Sequence, residues 1–565
     1  MTLSPRLGRV RDKIPIVPRA MPGLSQGHPG RAPGVAMQTG PAVLPGIAAL
    51  ALYALFLLLI GFRRGSHGTE GDRGSLRAPS LEEFFLRGRS LSWLPLFLTL
   101  AATNFSAFTV LGLAGAGYRM GYAFYPAMAF GTGFMALGMY LVGSPLREEG
   151  VARGWLSAVD AVRDRLGSAA AARVFAFFLI VFTLPYLALQ PIAAGYLLET
   201  AFGVPYRAGA LGVAVLIALY TARGGLKSLA KTDAFNGIIL FGIALAAWIL
   251  VRRAAPASGG HSQAGAAGSM PPFELLGYYL LWFMADPMFP QLGQRFLAAS
   301  GKGALERSAA AYPLVTTSLF FLTIAVGVLG RGLMPGLSGA EADKVWLLAA
   351  AKAAGPALSG IFVLAPLAAL VSTMDSQLLA LASIIVKETK MPAARAAPLV
   401  FSIAAISAVL ALFPPTDILS FLNKASFLGY AALFPTLFGV LYSKKARAAG
   451  ALSSMIAGEA AVFLLGSGLW SAGMVPAIFI VAGVSILAWT IGNRVPAARV
   501  FSGFEARRLG EVLPLRWAFL FAAILSSTIL AGVIPGGYPL WLPWSAGAGI
   551  ALSLSFVLYF RRRKA

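Results

Sequence analysis

Cysteine is absent from the 565 residues, which excludes disulfides, thiolate metal sites and thiol nucleophiles. Histidine is almost absent: His28, His67 and His261 all fall in polar stretches, so the usual general base and zinc ligand are missing from the apolar parts of the chain. Charge is scarce as well, at 12% of residues, and acids are the rarer sign, with 22 Asp and Glu against 46 Lys and Arg. No nucleophile, base or metal cluster stands out, and an enzyme is not expected.

What remains is apolar length. Hydrophobic residues make up 58% of the chain and the mean hydropathy is +0.75, more than a soluble core of this size uses. Runs of roughly 17–25 apolar residues recur about fifteen times, which predicts an all-α polytopic membrane protein embedded in a lipid bilayer. In a soluble chain a net charge of +24 would suggest a nucleic-acid partner. Here the basic residues gather in alternate loops, as the positive-inside rule requires, and no nucleic-acid partner is expected. Fifteen spans then put the N-terminus outside and the tail Arg561-Arg562-Arg563-Lys564 on the cytoplasmic side of the cell (inner) membrane.

Residues 1–36 are basic and rich in Pro and Gly, with no apolar signal region, and read either as a disordered extension or as sequence before a true start at Met37. The rest divides into a leading helix in 37–65, a first set of five spans in 91–252, a second set of five in 273–441, and four further spans with a basic tail in 450–565. The stretch around 253–272 reads as a flexible connector, and that around 331–357 has room for a short helix over the outer mouth. Ser80-Leu81-Glu82-Glu83 begins like a capping box, which predicts a helix at the inner surface.

The opening span of each five-helix set is interrupted at mid-membrane, by Thr103-Asn104-Phe105-Ser106 in one and Asp286-Pro287-Met288-Phe289-Pro290 in the other. This is the trace of an inverted repeat whose first helices unwind around a central site; an ordinary kink is the alternative for either break alone. Farther along, Ala369, Ser372 and Thr373 share one helix face at i, i+3 and i+4, where the hydroxyls either bond back to their own backbone or face an ion. Three ionisable residues lie at membrane depth, where each costs about 2.5–3.5 kcal/mol. Asp286 needs a partner or a function. Asp375 reads as a second cation or proton site, or as a structural pair. Lys424 either snorkels outward or holds a carboxylate, on the solute or on Asp286.

The run Gly203-x2-Tyr206 … Tyr220-Thr221-x2-Gly224-Gly225-Leu226-x-Ser228 … Thr232-Asp233 resembles the signature of the sodium:solute symporter family, which includes sodium/proline, sodium/pantothenate and sodium/glucose cotransporters. Paired glycines fit a tight turn with positive φ, and Asp233 would sit at the inner end of the next helix, as a gating or coupling residue. Core helix 1 adds Ala102-Thr103-Asn104-Phe105-Ser106 and Gly112-x2-Gly115, and core helix 6 adds Trp282-x3-Asp286-x3-Pro290-x4-Arg295, similar to the proline carriers but with Asp in place of Tyr.

The resemblance implies a leucine-transporter-like 5+5 core with extra flanking helices and co-transported sodium as the only cofactor. It places that ion among the carbonyls of Ala102, Phe105 and Ala369 and the hydroxyls of Ser372 and Thr373. An acid stands at the position of Asn104 in the proline carriers; the amide here is closer to the sugar carriers. For the solute it points to Asn104, Phe108, Gly112, Gln190, Trp282, Asp286 and Pro290, with Phe108 and Trp282 as apolar walls and packing or an interhelical bond as the plainer reading of Trp282 and Gln190. Asp233, Asp375 and Lys424 fall to gating or coupling. The expected activity is sodium-coupled symport of a small polar solute, an amino acid or carboxylate before a sugar. The alternatives are a proton-coupled carrier using Asp286 or Asp375 and, behind it, a transporter-like membrane sensor.

Overall fold

The computed structural model describes residues 44–62, 80–256, 270–414, 422, 426–495, 508–533 and 538–562, and their regular elements are all helical. Residues 1–36 and Lys424 lie outside the described residues. The leading helix α1 is Leu44–Phe62, and the predicted capping box opens α2, Leu81–Leu86. The Glu83 amide donates to Ser80 Oγ at 3.2 Å while the Ser80 amide donates to Glu83 Oε2 at 3.0 Å.

The first core helix comes in two pieces, α3 (Trp93–Asn104) and α4 (Leu113–Met120), and the sixth likewise, further on. Between α3 and α4 the chain passes through extended backbone at Phe105 and a π turn, Phe108–Gly112. Then follow α5 (Tyr125–Arg153), α6 (Ala158–Leu166), α7 (Ala169–Phe202) and α8 (Tyr206–Ala254). The second set begins with α9 (Pro272–Ala285), a turn at Asp286–Met288 and α10 (Pro290–Ala298). It continues with α11 (Lys302–Leu333), α12 (Val345–Ala354), α13 (Leu364–Glu388), α14 (Ala396–Leu410) and α15 (Leu428–Tyr442). Among the described residues four longer helices follow: α16 (Ala448–Gly466), α17 (Ala477–Gly492), α18 (Leu515–Val533) and α19 (Tyr538–Arg562).

Among the described residues eight helices are long and apolar enough to cross a membrane, against about fifteen expected spans. Four of the expected spans are described as shorter apolar helices, Leu44–Ile60, Leu428–Tyr442, Ala477–Gly492 and Leu515–Leu530, and the rest of the difference has local causes. Helix α8 joins two expected spans, 208–222 and 233–252, across a kink. The stretch Phe108–Arg153 unites the far half of 91–112 with 121–143, and breaks cut 91–112 and 273–292 into pieces shorter than a crossing.

The α8 kink sits at Gly225, φ 54° and ψ −167°, a backbone state that only glycine adopts readily. A side chain there would also meet the Phe84 carbonyl oxygen at 2.7 Å, so α2 lies directly on the turn. Beyond α2, Arg87, Gly88 and Arg89 are consecutively left-handed. Their strained turn is fixed by what Arg89 holds: Glu82 at 2.9 Å, the Trp155 carbonyl at 2.8 Å and the Leu297 carbonyl at 3.3 Å. Leu91 then bonds Ala298 and Ser300 through its backbone, strapping the start of α3 to the end of α10. At the far end of α4, Arg119 pairs with Asp343 at 2.9 Å and the Tyr118 hydroxyl donates to Met334 O at 2.7 Å. The connection between α11 and α13 therefore folds over α4, and it contains the expected short helix, α12, anchored by buried Trp346.

Candidate functional site

Helix α13 is buried without interruption from Leu364 to Ile384 and runs past the break between α3 and α4. That break exposes carbonyls because its local donors go elsewhere: the Thr109 amide bonds Ser106 O at 2.9 Å, the Phe108 amide bonds Ser106 Oγ, and the Ala107 amide bonds Gln190 Oε1 at 3.3 Å. The two hydroxyls of α13 meet the freed oxygens. Ser372 Oγ lies 2.8 Å from Ala102 O, 2.9 Å from Ala368 O and 3.1 Å from Ala369 O. Thr373 Oγ1 lies 3.2 Å from Thr103 O and 3.3 Å from Phe105 O. Ser372 bonds back to its own helix and also reaches across to α3, while Thr373 reaches across. Five carbonyl oxygens thus surround two hydroxyls that own one proton each. Such an excess of buried acceptors suits a small hard cation with oxygen ligands.

The second break faces the first. Pro287 and Pro290 supply no amide proton, so the helix opens at Asp286–Met288 and restarts at Pro290. Asp286 is 2% exposed, its Oδ1 has no hydrogen-bond partner, and the Asn104 amide lies within hydrogen-bonding reach of the carboxylate. Asn104 also donates to the Tyr312 hydroxyl at 2.6 Å, so one amide of the first break touches both the second break and α11. Gln190 donates to Tyr186 O at 2.9 Å while accepting from Ala107, the interhelical bond weighed as its plainer role. Gly112 is buried at the end of the π turn.

Phe108 and Trp282 stand on either side of a ring that the sequence reading missed. Phe427 lies 4.9 Å from Trp282, 6.3 Å from Phe108, 5.6 Å from Tyr186 and 5.9 Å from Phe289, centroid to centroid. The Trp282 indole N–H, like Asp286 Oδ1, is buried with no partner.

A third polar cluster lies one turn further along α13. Asp233 and Arg295, both fully buried, form an ion pair at 3.2 Å, and Thr99 donates to the same Asp233 oxygen. Arg295 also donates to Ser376, whose hydroxyl bonds Asp375 Oδ1 at 3.0 Å, and the Tyr220 hydroxyl takes Asp375 Oδ2. Both oxygens of Asp375 are therefore hydrogen-bonded within the protein. Tyr220 belongs to the signature run without a role expected of it, and no local pattern points to Thr99 or Ser376 as its companions.

The profile of the sodium:solute symporter family matches residues 84–458. The chain is 28% identical over 460 residues to the sodium/pantothenate symporter of Escherichia coli (strain K12), covering 75% of this chain and 93% of that protein. It is 25% identical over 458 residues to the osmoregulated proline transporter OpuE of Bacillus subtilis (strain 168), covering 74% and 88%. In three dimensions a substrate-bound, outward-open Na+-coupled sialic acid symporter superposes with a TM-score of 0.66 at 15% identity, over 81% of this chain and 99% of that one, which shows a common fold. With 375 contiguous residues under one family profile, its two broken helices and its apolar spans, this chain belongs to the sodium:solute symporter family: it is a multi-pass membrane carrier, not an enzyme, and couples its solute to co-transported sodium.

Proposed function

We propose that sodium binds between α3 and α13, on the carbonyls of Ala102, Phe105 and Ala369 and the hydroxyls of Ser372 and Thr373. The observation that carries this reading is the surplus of acceptors over protons across two helices. A site with no formal charge holds a monovalent ion weakly enough to release it on the far side. The solute, an amino acid or small carboxylate, sits beside it against Asn104, Phe108, Gly112, Gln190, Trp282, Asp286 and Pro290, while Asp233 and Asp375 couple the inner end of the path to the ion and Lys424 serves in gating or coupling.

Sodium bridging α3 and α13 organises the unwound segment, and with it Asn104, so the solute binds a state that the ion has selected. Residues 91–252 and 273–441 act as the two five-helix repeats that rock around this centre, with α1 and 450–565 flanking them. In the inner membrane, N-terminus outside and C-terminus in the cytoplasm, one sodium moving down 100 mV supplies about 2.3 kcal/mol. A tenfold concentration gradient adds about 1.4 kcal/mol. The test is a titration of the purified chain's thermal stability with sodium, potassium replacing it at constant ionic strength. Saturable stabilisation by sodium alone is expected. Equal stabilisation by potassium would overturn the assignment, and uptake driven by a pH gradient without sodium would point to protons instead.

A further inference from the structure

Asp286 carries a buried carboxylate oxygen with no hydrogen-bond partner. It lies at membrane depth on a residue 2% exposed, and no Lys or Arg among the described residues forms an ion pair with it. The nearest cation in sequence, Arg295, is committed to Asp233 and Ser376. A buried carboxylate left half-satisfied in an apolar bundle needs either a proton or a visiting cation. Helical spacing puts Trp282 one turn before Asp286, and Phe289 stands where the turn at Asp286–Met288 ends. These two rings close on Phe427, with Tyr186 and Phe108 completing an aromatic wall. Aromatic faces beside one carboxylate attract a positively charged nitrogen by ring quadrupole and by charge, and they offer nothing to a bare carboxylate.

Building on the symport reading above, we propose that Asp286 receives a positively charged nitrogen of the solute, so that the carrier takes zwitterions or amines and rejects simple carboxylates. The solute displaces the Phe427 ring from between Trp282 and Phe108 and is held against the sodium-ordered segment by Asn104. Of the two solute classes expected from the sequence, the amino-acid type is thereby chosen over the carboxylate type.

Isosteric probes separate the possibilities. The purified full-length chain is titrated in sodium buffer with L-proline, pyrrolidine and cyclopentanecarboxylate, and with choline and its neutral isostere 3,3-dimethylbutanol, reading thermal stabilisation. Stabilisation is expected from nitrogen-bearing members of each set and from none of the isosteres that lack the cation. In Asp286→Asn the apparent affinity for those probes should fall on the order of 100-fold, and Asp286→Glu should restore part of it. The variants' own response to sodium reports whether they are folded. Cyclopentanecarboxylate or dimethylbutanol acting as well as its nitrogen partner overturns the proposal, as do undiminished affinity in Asp286→Asn and silence from every nitrogen-bearing probe. If sodium itself fails to stabilise the wild-type chain over potassium, the failure belongs to the sodium site and not to Asp286.

Discussion

The two broken helices solve the same problem in opposite ways. Between α3 and α4 freed groups meet protein partners: side chains of Ser106 and Gln190 take the Phe108 and Ala107 amides, and Ser372 and Thr373 reach carbonyls. Between α9 and α10 proline removes the donors outright, and Asp286 Oδ1 and the Trp282 indole are left buried and open. The first break is preorganised for something small that replaces a few shared protons. The second leaves a carboxylate oxygen and an indole N–H unsatisfied, the groups the proposed solute would meet. Asn104 joins them, and under the proposed function it is the link through which an ion in one break would bias the other.

The sharpest way to break this comparison is to unsettle the floor beneath the first break. Arg295→Ala would leave the Asp233 carboxylate buried without its counter-charge, at about 3–5 kcal/mol. The expected result is a marked loss of thermal stability in detergent, partly recovered by adding Asp233→Asn. An Arg295→Ala protein as stable as the wild type would mean that the ion pair holds nothing in place. Gly225→Ala should come next. It forces a side chain into a conformation costing about 1–3 kcal/mol and against the Phe84 carbonyl, so α2 should undock, read as faster proteolysis between α1 and α3 with the sodium midpoint little changed.

How legible these features were in the sequence depends on how local their causes are. The breaks, the capping box at Ser80 and the glycine turn at 225 each follow from a few adjacent residues, and each lies where the pattern put it. Ser372 reaches the Ala102 oxygen and Thr373 the Phe105 oxygen, contacts across about 270 positions that spacing alone never implies. The remainder is tertiary. Thr99 meets Asp233 across 134 positions and Tyr220 meets Asp375 across 155, while Phe427 gathers rings from four other elements. The span count also depended on tertiary structure, because an apolar run does not tell whether a helix runs unbroken or comes in pieces, as the first and sixth core helices do.

Two smaller substitutions decide whether the hydroxyls of α13 are ion ligands or merely rivets between helices. Ser372→Ala removes an oxygen from the acceptor cluster and should raise the sodium concentration for half-maximal stabilisation about tenfold, equivalent to about 1.4 kcal/mol. Thr103→Val is the control, because Thr103 also bridges the two helices, its hydroxyl donating to Ser372 O at 3.3 Å, yet its side chain is outside the proposed ligand set. Losing one long neutral hydrogen bond should shift the sodium midpoint by less than about threefold. Riveting predicts the reverse pattern, with both variants moving the midpoint in proportion to the stability they lose. A tenfold shift in Thr103→Val matching that of Ser372→Ala would therefore move the ion out of this cluster while leaving the cluster's structural role intact.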